Sequence, residues 1–284
     1  MGAVGPISAR AVGPGMPSTA SESERRWAER WRRRWDRQQE RYLPTRDERF
    51  DAILDALDRA VASPPGTVAS RKSRPFRFVD LGCGTGALSE RILNRFPRAV
   101  GVGVDFDPVL MKIGRVALGS VGGRFRWVDA DLRRTGWVAS LPHGRMDAAV
   151  STTALHWLTA FELRRLYGAL ARRLRPGGVF VNGDHMEYPS SARRLKRWAR
   201  ANRGIDRAVF SGPGESWRAW WTAVLADPRV AAEAASRAKR VPRHHEDVPP
   251  VDLRAHTRML RGAGFREVGT TWSRWENRVL VAVR

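Results

Sequence analysis

The sequence predicts a doubly wound α/β sheet carrying helical additions. Three observations point that way. Residues 76–81 form a short, mostly apolar run bounded by turn residues, the pattern of a buried strand. Gly82, Gly84 and Gly86 follow at alternate positions, and residues 87–96 then repeat Leu88, Ile92, Leu93 and Phe96 at helical spacing. Strand and helix patterns keep alternating to residue 184, which implies parallel strands joined by crossover helices. In such a sheet the carboxyl edge is the binding edge, and a glycine turn brings free backbone N–H groups to it.

The chain has 284 residues, enough for one large α/β domain with additions and a sizeable core. Residues 1–20 are rich in Gly, Pro and Ala and read as a disordered tail. They lack an apolar h-region, so no secretory signal is expected, and Pro6 speaks against a myristoylation pattern. No run approaches the roughly 18 apolar residues of a membrane span. Cys83 is the only cysteine, which rules out an internal disulfide and a cysteine-based zinc site. The expected setting is reducing and cytoplasmic, and Cys83 reads as a buried loop residue.

The net charge of +22 is extreme and raises the question of nucleic acid. Only four of the 51 basic residues are lysine, leaving 47 arginines spread through every segment. That distribution describes a bias of the whole chain rather than one patch.

Residues 21–75 read as two helices and a linker. Residues 22–42 place Trp27, Trp31 and Trp35 at i, i+4 and i+8 opposite an Arg-rich face. Such a helix lies on a membrane or an anionic partner, or packs its Trp stripe on the rest of the protein. Leu43-Pro44 breaks it, and Thr45 with Glu48 has the spacing of a capping box. Phe50, Ile53, Leu54, Leu57 and Val61 give the next helix one apolar face, and residues 63–74 are a Pro/Ser/Gly-rich linker. Residues 76–185 form the core. After them the alternation breaks: 186–250 is helical in period, carries Trp198, Trp217, Trp220 and Trp221, and reads as an inserted cap. Its tryptophans line an aromatic pocket or form the cap's own core. His244-His245-Glu246-Asp247 lacks a spaced third ligand, so no metal is expected. Residues 251–284 supply a last helix and a β-hairpin that complete the sheet.

The glycine spacing is G-x-G-x-G, tighter than the G-x-G-x-x-G that cradles a pyrophosphate. Asp80, just before the loop, would repel a pyrophosphate and suits a ligand bearing an ammonium group. Asp105 falls about twenty residues further on, where a carboxylate reaches a ribose diol, with capping of the next helix as the alternative for Asp105 or Asp107.

Val79-Asp80-Leu81-Gly82-Cys83-Gly84-Thr85-Gly86 resembles the first signature of class I S-adenosylmethionine-dependent methyltransferases. Val102-Gly103-Val104-Asp105, Val128-Asp129-Ala130-Asp131-Leu132, Met146-Asp147-Ala148-Ala149-Val150-Ser151 and Leu174-Arg175-Pro176-Gly177-Gly178-Val179-Phe180 resemble its later elements in order. Thr152-Thr153-Ala154-Leu155-His156-Trp157 is similar to the loop of small-molecule members of the trans-aconitate type. The resemblance spans roughly residues 76–184 and 252–284. It implies a Rossmann-like sheet in the order 3-2-1-4-5-7-6 with the last strand antiparallel, and S-adenosylmethionine as cofactor. It carries cofactor contacts onto Asp80, Gly82, Cys83, Gly84, Gly86, Asp105, Phe106, Asp131, Leu132, Ser151 and Thr152. Asp131 takes the adenine amino group, with Asp129 as competitor. Trp35, Gln38 and Tyr42 would form a lid, and Trp157, Trp217, Trp221 and His245 would meet the substrate.

Methyl transfer from a sulfonium expels a neutral leaving group, so it needs no general acid, and proximity supplies most of the acceleration. Only a protonated acceptor calls for a base, for which His156 and His185 come first, followed by Asp184 and His245. The loop after the fourth strand lacks the Asn/Asp-Pro-Pro-aromatic pattern, and no cysteine nucleophile is available for pyrimidine C5. The expected reaction is O-methylation of a small carboxylate or phenol. An RNA methyltransferase and a non-enzymatic adenosyl-binding protein are the alternatives, and a dehydrogenase would need the wider glycine spacing.

Overall fold

The computed structural model describes residues 20–62, 74–210, 214–241 and 248–284. The expected tail, most of the 63–74 linker and the 244–247 run lie outside these residues. Seven strands form one sheet: β1 (Arg77–Leu81), β2 (Val100–Asp105), β3 (Phe125–Asp129), β4 (Met146–Thr152), β5 (Leu174–His185), β6 (Glu267–Arg274) and β7 (Asn277–Val283). Their order is β3-β2-β1-β4-β5-β7-β6. β7 runs antiparallel to β5 and to β6, and the other neighbours are parallel. The helices are α1 (Glu22–Tyr42), α2 (Arg46–Ala62), α3 (Ala87–Arg95), α4 (Pro108–Leu118), α5 (Ala160–Arg173), α6 (Arg193–Phe210), α7 (Trp217–Leu225), α8 (Ala231–Arg240) and α9 (Leu253–Gly262).

Alternating side chains of β1 divide between two cores, as the period of a strand requires. Val79 and Leu81 join α5 and α9 through Leu163, Leu166, Leu170 and Leu260 on one face. Phe78 joins α2 and α3 through Phe50, Ile53, Leu88 and Ile92 on the other. Burying β1 on both faces explains why it reads as a continuous apolar run rather than an alternating one. Asp80 interrupts that run on the α3 face.

A third core settles the role of the N-terminal tryptophans. Trp27 and Trp31 are buried against Val109 and Ile113 of α4 and Trp220 of α7. Both indole N–H groups donate to one carboxylate oxygen of Asp227, at 2.8 and 2.9 Å. Trp35 sits edge-on to Trp220 with centroids 4.6 Å apart. The stripe therefore packs against the rest of the protein. Among the described residues no helix is long and apolar enough to cross a membrane.

Two local expectations are corrected. Thr45 and Glu48 form no capping box. The chain turns through Pro44, the Arg46 N–H donates to the Leu43 carbonyl at 3.0 Å, and the Thr45 hydroxyl is buried without a partner among the described residues. The Pro176-Gly177-Gly178 run has the composition of a helix stop, with Gly177 the candidate left-handed cap, but it lies beyond the end of the helix. α5 stops at Leu174, whose backbone is already extended. The pairing with β4 jumps from Met146↔Leu174 to Ala148↔Val179, so residues 175–178 bulge. Pro176 has no N–H for the ladder, which favours a bulge at this point.

Asp147, at the start of β4, is the main polar anchor inside the sheet. Burial would raise its pKa, but Arg74, the Arg77 N–H (2.8 Å) and Arg175 together hold it below the usual carboxylate range. Removing the carboxylate leaves those donors facing one another. Asp147→Ala is expected to cost about 3 kcal/mol in urea denaturation at pH 7. A depressed pKa gives stability that is present above the unfolded value of about 3.9 and lost below it, so the gap between wild type and variant should narrow at pH 3.

Candidate active site

The crevice opens at the carboxyl ends of β1 and β4, where α3 leaves toward one face of the sheet and α5 toward the other. A cavity of about 520 Å³ fills it. Its floor is the turn after β1, which requires glycine. Gly82 has φ +70, and a Cβ there would lie 2.3 Å from the Cβ of Ala154 in the loop after β4. The two loops therefore touch backbone to side chain, and nothing larger fits between them.

Asp80, Gly82, Cys83, Gly84, Asp105, Phe106, Asp131, Leu132, Thr152, Trp35, Trp157, Trp217 and Trp221 all line this cavity. Asp80 accepts a hydrogen bond from the Ser89 hydroxyl at 2.6 Å. Burial, reinforced by the charge of Asp105, pushes its pKa up to about 7 against that bond. Asp105 accepts from the N–H groups of Gly84 (2.7 Å), Phe106 (2.7 Å) and Asp107 (2.9 Å). Burial still raises it to about 6. The neighbouring acids divide their work. Both Asp105 and Asp107 line the cavity, but Asp107 caps α4 by accepting from Val109 and Leu110 and also receives Arg237 of α8. Asp131 lines the cavity as well, held by the Arg133 side chain and N–H. Asp129 does not line it and pairs instead with Arg240 of α8. Burial lifts the Cys83 thiol well above its ordinary pKa, consistent with a structural thiol.

Other candidates do not line the cavity. Gly86 starts α3 behind the loop, its Cα facing Trp127. The Ser151 hydroxyl donates to the Leu81 carbonyl at 2.7 Å and so ties β4 to β1. Gln38 is buried, and its neighbour Gln39 lines the cavity instead. This one-residue difference is a 100° rotation on a helix. The Tyr42 hydroxyl accepts from the Trp217 N–H on the outside. Of the proposed bases, His156 turns its Nδ1 to Asp184, 2.8 Å away, and its own N–H donates to the same carboxylate. Burial would raise Asp184, but His156 and Arg49 hold it down to about 2. His185 faces Glu276 at 3.8 Å, and burial lowers its pKa. None of these three groups is among the residues that line the cavity. His245 lies outside the described residues.

Sequence reasoning missed Arg46 and Phe50 of α2, Thr153, and Arg237 of α8, all of which line the cavity. Arg46 pairs with Asp36 at 2.7 Å and sits over the Phe50 ring. Arg237 lies 3.7 Å over Trp221. In a chain with 47 arginines no pattern singles these out; only their burial does.

Residues 78–178 match the family model described as methyltransferase domain. Over 183 residues the chain is 34% identical to a trans-aconitate 2-methyltransferase of Azoarcus sp. strain BH72, which covers 63% of this chain and 64% of that protein. It is 33% identical over 152 residues to a trans-aconitate 2-methyltransferase of Methylobacterium nodulans, 52% of this chain and 50% of that protein. The chain thus spans less than two thirds of the length of either relative. An O-methyltransferase family protein from Burkholderia thailandensis superposes with a TM-score of 0.48 at 19% identity, over 84% of this chain and 57% of that one. The methyltransferase-domain match over residues 78–178 and the two curated relatives, with the seven-stranded topology and the glycine loop, support a class I S-adenosylmethionine-dependent methyltransferase. The cofactor of that class is S-adenosyl-L-methionine.

The acids give a pH test. A ligand that set an ammonium group beside Asp80 and a ribose diol at Asp105 would favour both carboxylates ionised. Protonation in the free protein opposes binding, so affinity for S-adenosylhomocysteine is expected to rise as pH climbs through about 6 to about 7. Titration calorimetry checks this, and Asp80→Asn should flatten the upper part of the rise. A pH-independent affinity would contradict the assignment.

Proposed function

We propose that this protein transfers a methyl group from S-adenosylmethionine to an oxygen of a small anionic acceptor, a carboxylate before a phenolate. One observation carries the reading. The glycine loop, Asp105 and Asp131 share a single cavity with a buried arginine, Arg46, and with Trp35, Trp157 and Trp221. The residues fit the cofactor. Gly82, Cys83 and Gly84 would pass beneath its amino-acid part, Asp80 would face the ammonium, Asp105 the ribose, and Asp131 with Leu132 the adenine. When bound, the cofactor supplies an electrophilic methyl on a neutral-leaving sulfonium.

The protein's own task is to hold the acceptor oxygen in line and keep water out. α1, α7 and α8 cover the cavity for that purpose, latched by Arg237 on Asp107 and Arg240 on Asp129. A carboxylate acceptor is already ionised at neutral pH, so no base is required, in keeping with the absence of His156, His185 and Asp184 from the cavity wall. The same anionic chemistry agrees with the curated relatives named for trans-aconitate. An RNA acceptor would instead bind with a steep salt dependence.

Two measurements test this. Calorimetric titration is expected to show micromolar S-adenosylhomocysteine binding and none for NAD, with Asp105→Ala weakening the former about a hundredfold through loss of a charged hydrogen-bond partner. Mass spectrometry of products from a panel of small carboxylic acids and phenols should show methyl esters or ethers. Products methylated only on nitrogen or carbon would overturn the proposal.

A further inference from the structure

Thr153 is the one residue of the cavity wall, other than glycine, with its backbone in the left-handed region, at φ +54. A β-branched residue is poorly suited to that conformation, which costs on the order of 1–3 kcal/mol. Its surroundings hold it there. The Thr153 N–H donates to the Gly183 carbonyl at 3.0 Å. Its hydroxyl accepts from the Arg49 guanidinium.

Arg49 is itself unusual. Only 2% of it is exposed, and among the described residues no carboxylate bonds it directly and its Nε has no partner. The nearest balancing charge is Asp184, which already serves His156. Burial lowers the guanidinium to about 10, still fully charged at neutral pH. The side chain reaches Thr153 only because Gly183 has no Cβ. One there would fall 3.1 Å from both Cγ and Cδ of Arg49 and 2.9 Å from Ile53. Gly183, Arg49 and Thr153 thus form one device, built from β5, α2 and the loop after β4.

The device has a polarity. Because the Thr153 oxygen is occupied as an acceptor by Arg49, its proton is free to point into the cavity or to Thr152, whose hydroxyl is 3.4 Å away. A hydroxyl that accepts from a cation becomes a stronger donor. Arg46, about one helical turn before Arg49, brings a buried guanidinium to the cavity lining, paired with Asp36.

We infer that the Thr153 hydroxyl, polarised by Arg49, is the donor that anchors a carboxylate oxygen of the methyl acceptor, and that Arg49 acts as a positioning residue behind it. This rests on the anionic-acceptor reading above and assigns its anchor. The bond orients the acceptor without joining the chemistry, so its loss raises KM more than it lowers kcat.

The test uses Thr153→Val, which keeps the β-branched shape and removes the hydroxyl, with Thr153→Ser as the rescue and Arg49→Lys as the second variant. Each full-length protein is titrated with S-adenosylhomocysteine, and the loaded protein is then titrated with trans-aconitate and with citrate as carboxylate probes. For whichever probe is methylated, KM and kcat are measured. Thr153→Val is expected to bind S-adenosylhomocysteine within about twofold of wild type and the carboxylate about tenfold more weakly. Thr153→Ser should recover most of the loss, and Arg49→Lys should weaken carboxylate binding without affecting S-adenosylhomocysteine. Equal carboxylate affinity in wild type and Thr153→Val overturns the inference alone. Wild type that binds S-adenosylhomocysteine but neither carboxylate overturns it together with the anionic-acceptor reading. Wild type that binds none of the three overturns the cofactor reading as well.

Discussion

The contact between Gly82 and Ala154 is the constraint on which the site depends. β1 and β4 are adjacent and parallel, with Leu81 beside Ser151. Their chains part at this point toward opposite faces of the sheet, α3 to one side and α5 to the other. Two loops must pass each other with 2.3 Å between an imagined Cβ and a real one, so one of them has to be glycine. Everything in the cavity is referred to that crossing. The Gly82–Thr85 turn forms one side, the Thr152–Ala154 loop the other, and β2 delivers Asp105 to bind the turn through Gly84. The crevice is thus a consequence of chain topology. The side chains then decide what it holds.

Charge is arranged against the trend of the composition. A chain of net charge +22 buries the acids Asp80 and Asp105, whose pKa values are raised, and on α2 the arginines Arg46 and Arg49. Helices α1, α7 and α8 cover the cavity. Trp27 and Trp31 share the Asp227 carboxylate, and Arg237 and Arg240 reach across to Asp107 and Asp129. The latch carboxylates Asp107 and Asp129 lie two residues from Asp105 and Asp131, and Asp107 itself lines the cavity, so the cover is registered on the same loops that form the binding wall. Asp107 and Asp129 were the rivals of Asp105 and Asp131 in the sequence; in the fold each rival belongs to the cover.

Most of the sheet was legible in the sequence because doubly buried strands and glycine turns leave local signatures. The strand order and the antiparallel β7 came from the resemblance of ordered motifs, and the topology agrees with it. The local misses have specific causes. Pro176 and Gly177 look like a helix stop, yet α5 had already ended and the pair forms a bulge. Thr45 and Glu48 have capping-box spacing, yet the turn at Pro44 leaves the Thr45 hydroxyl buried and unbonded.

By itself the sequence determined the alternation of strands and helices, the glycine loop and the acids at its carboxyl edge. Each of these is encoded by residues close together in the chain. Only the tertiary structure decided which side chains face the cavity. His156 lies in the turn after β4 and His185 ends β5, but one turns to Asp184 and the other to Glu276. Arg49 and Thr153 are about a hundred residues apart and carry no shared motif. They meet because Gly183, on a third element, leaves room for a long side chain, and such three-body packing is written in no local pattern.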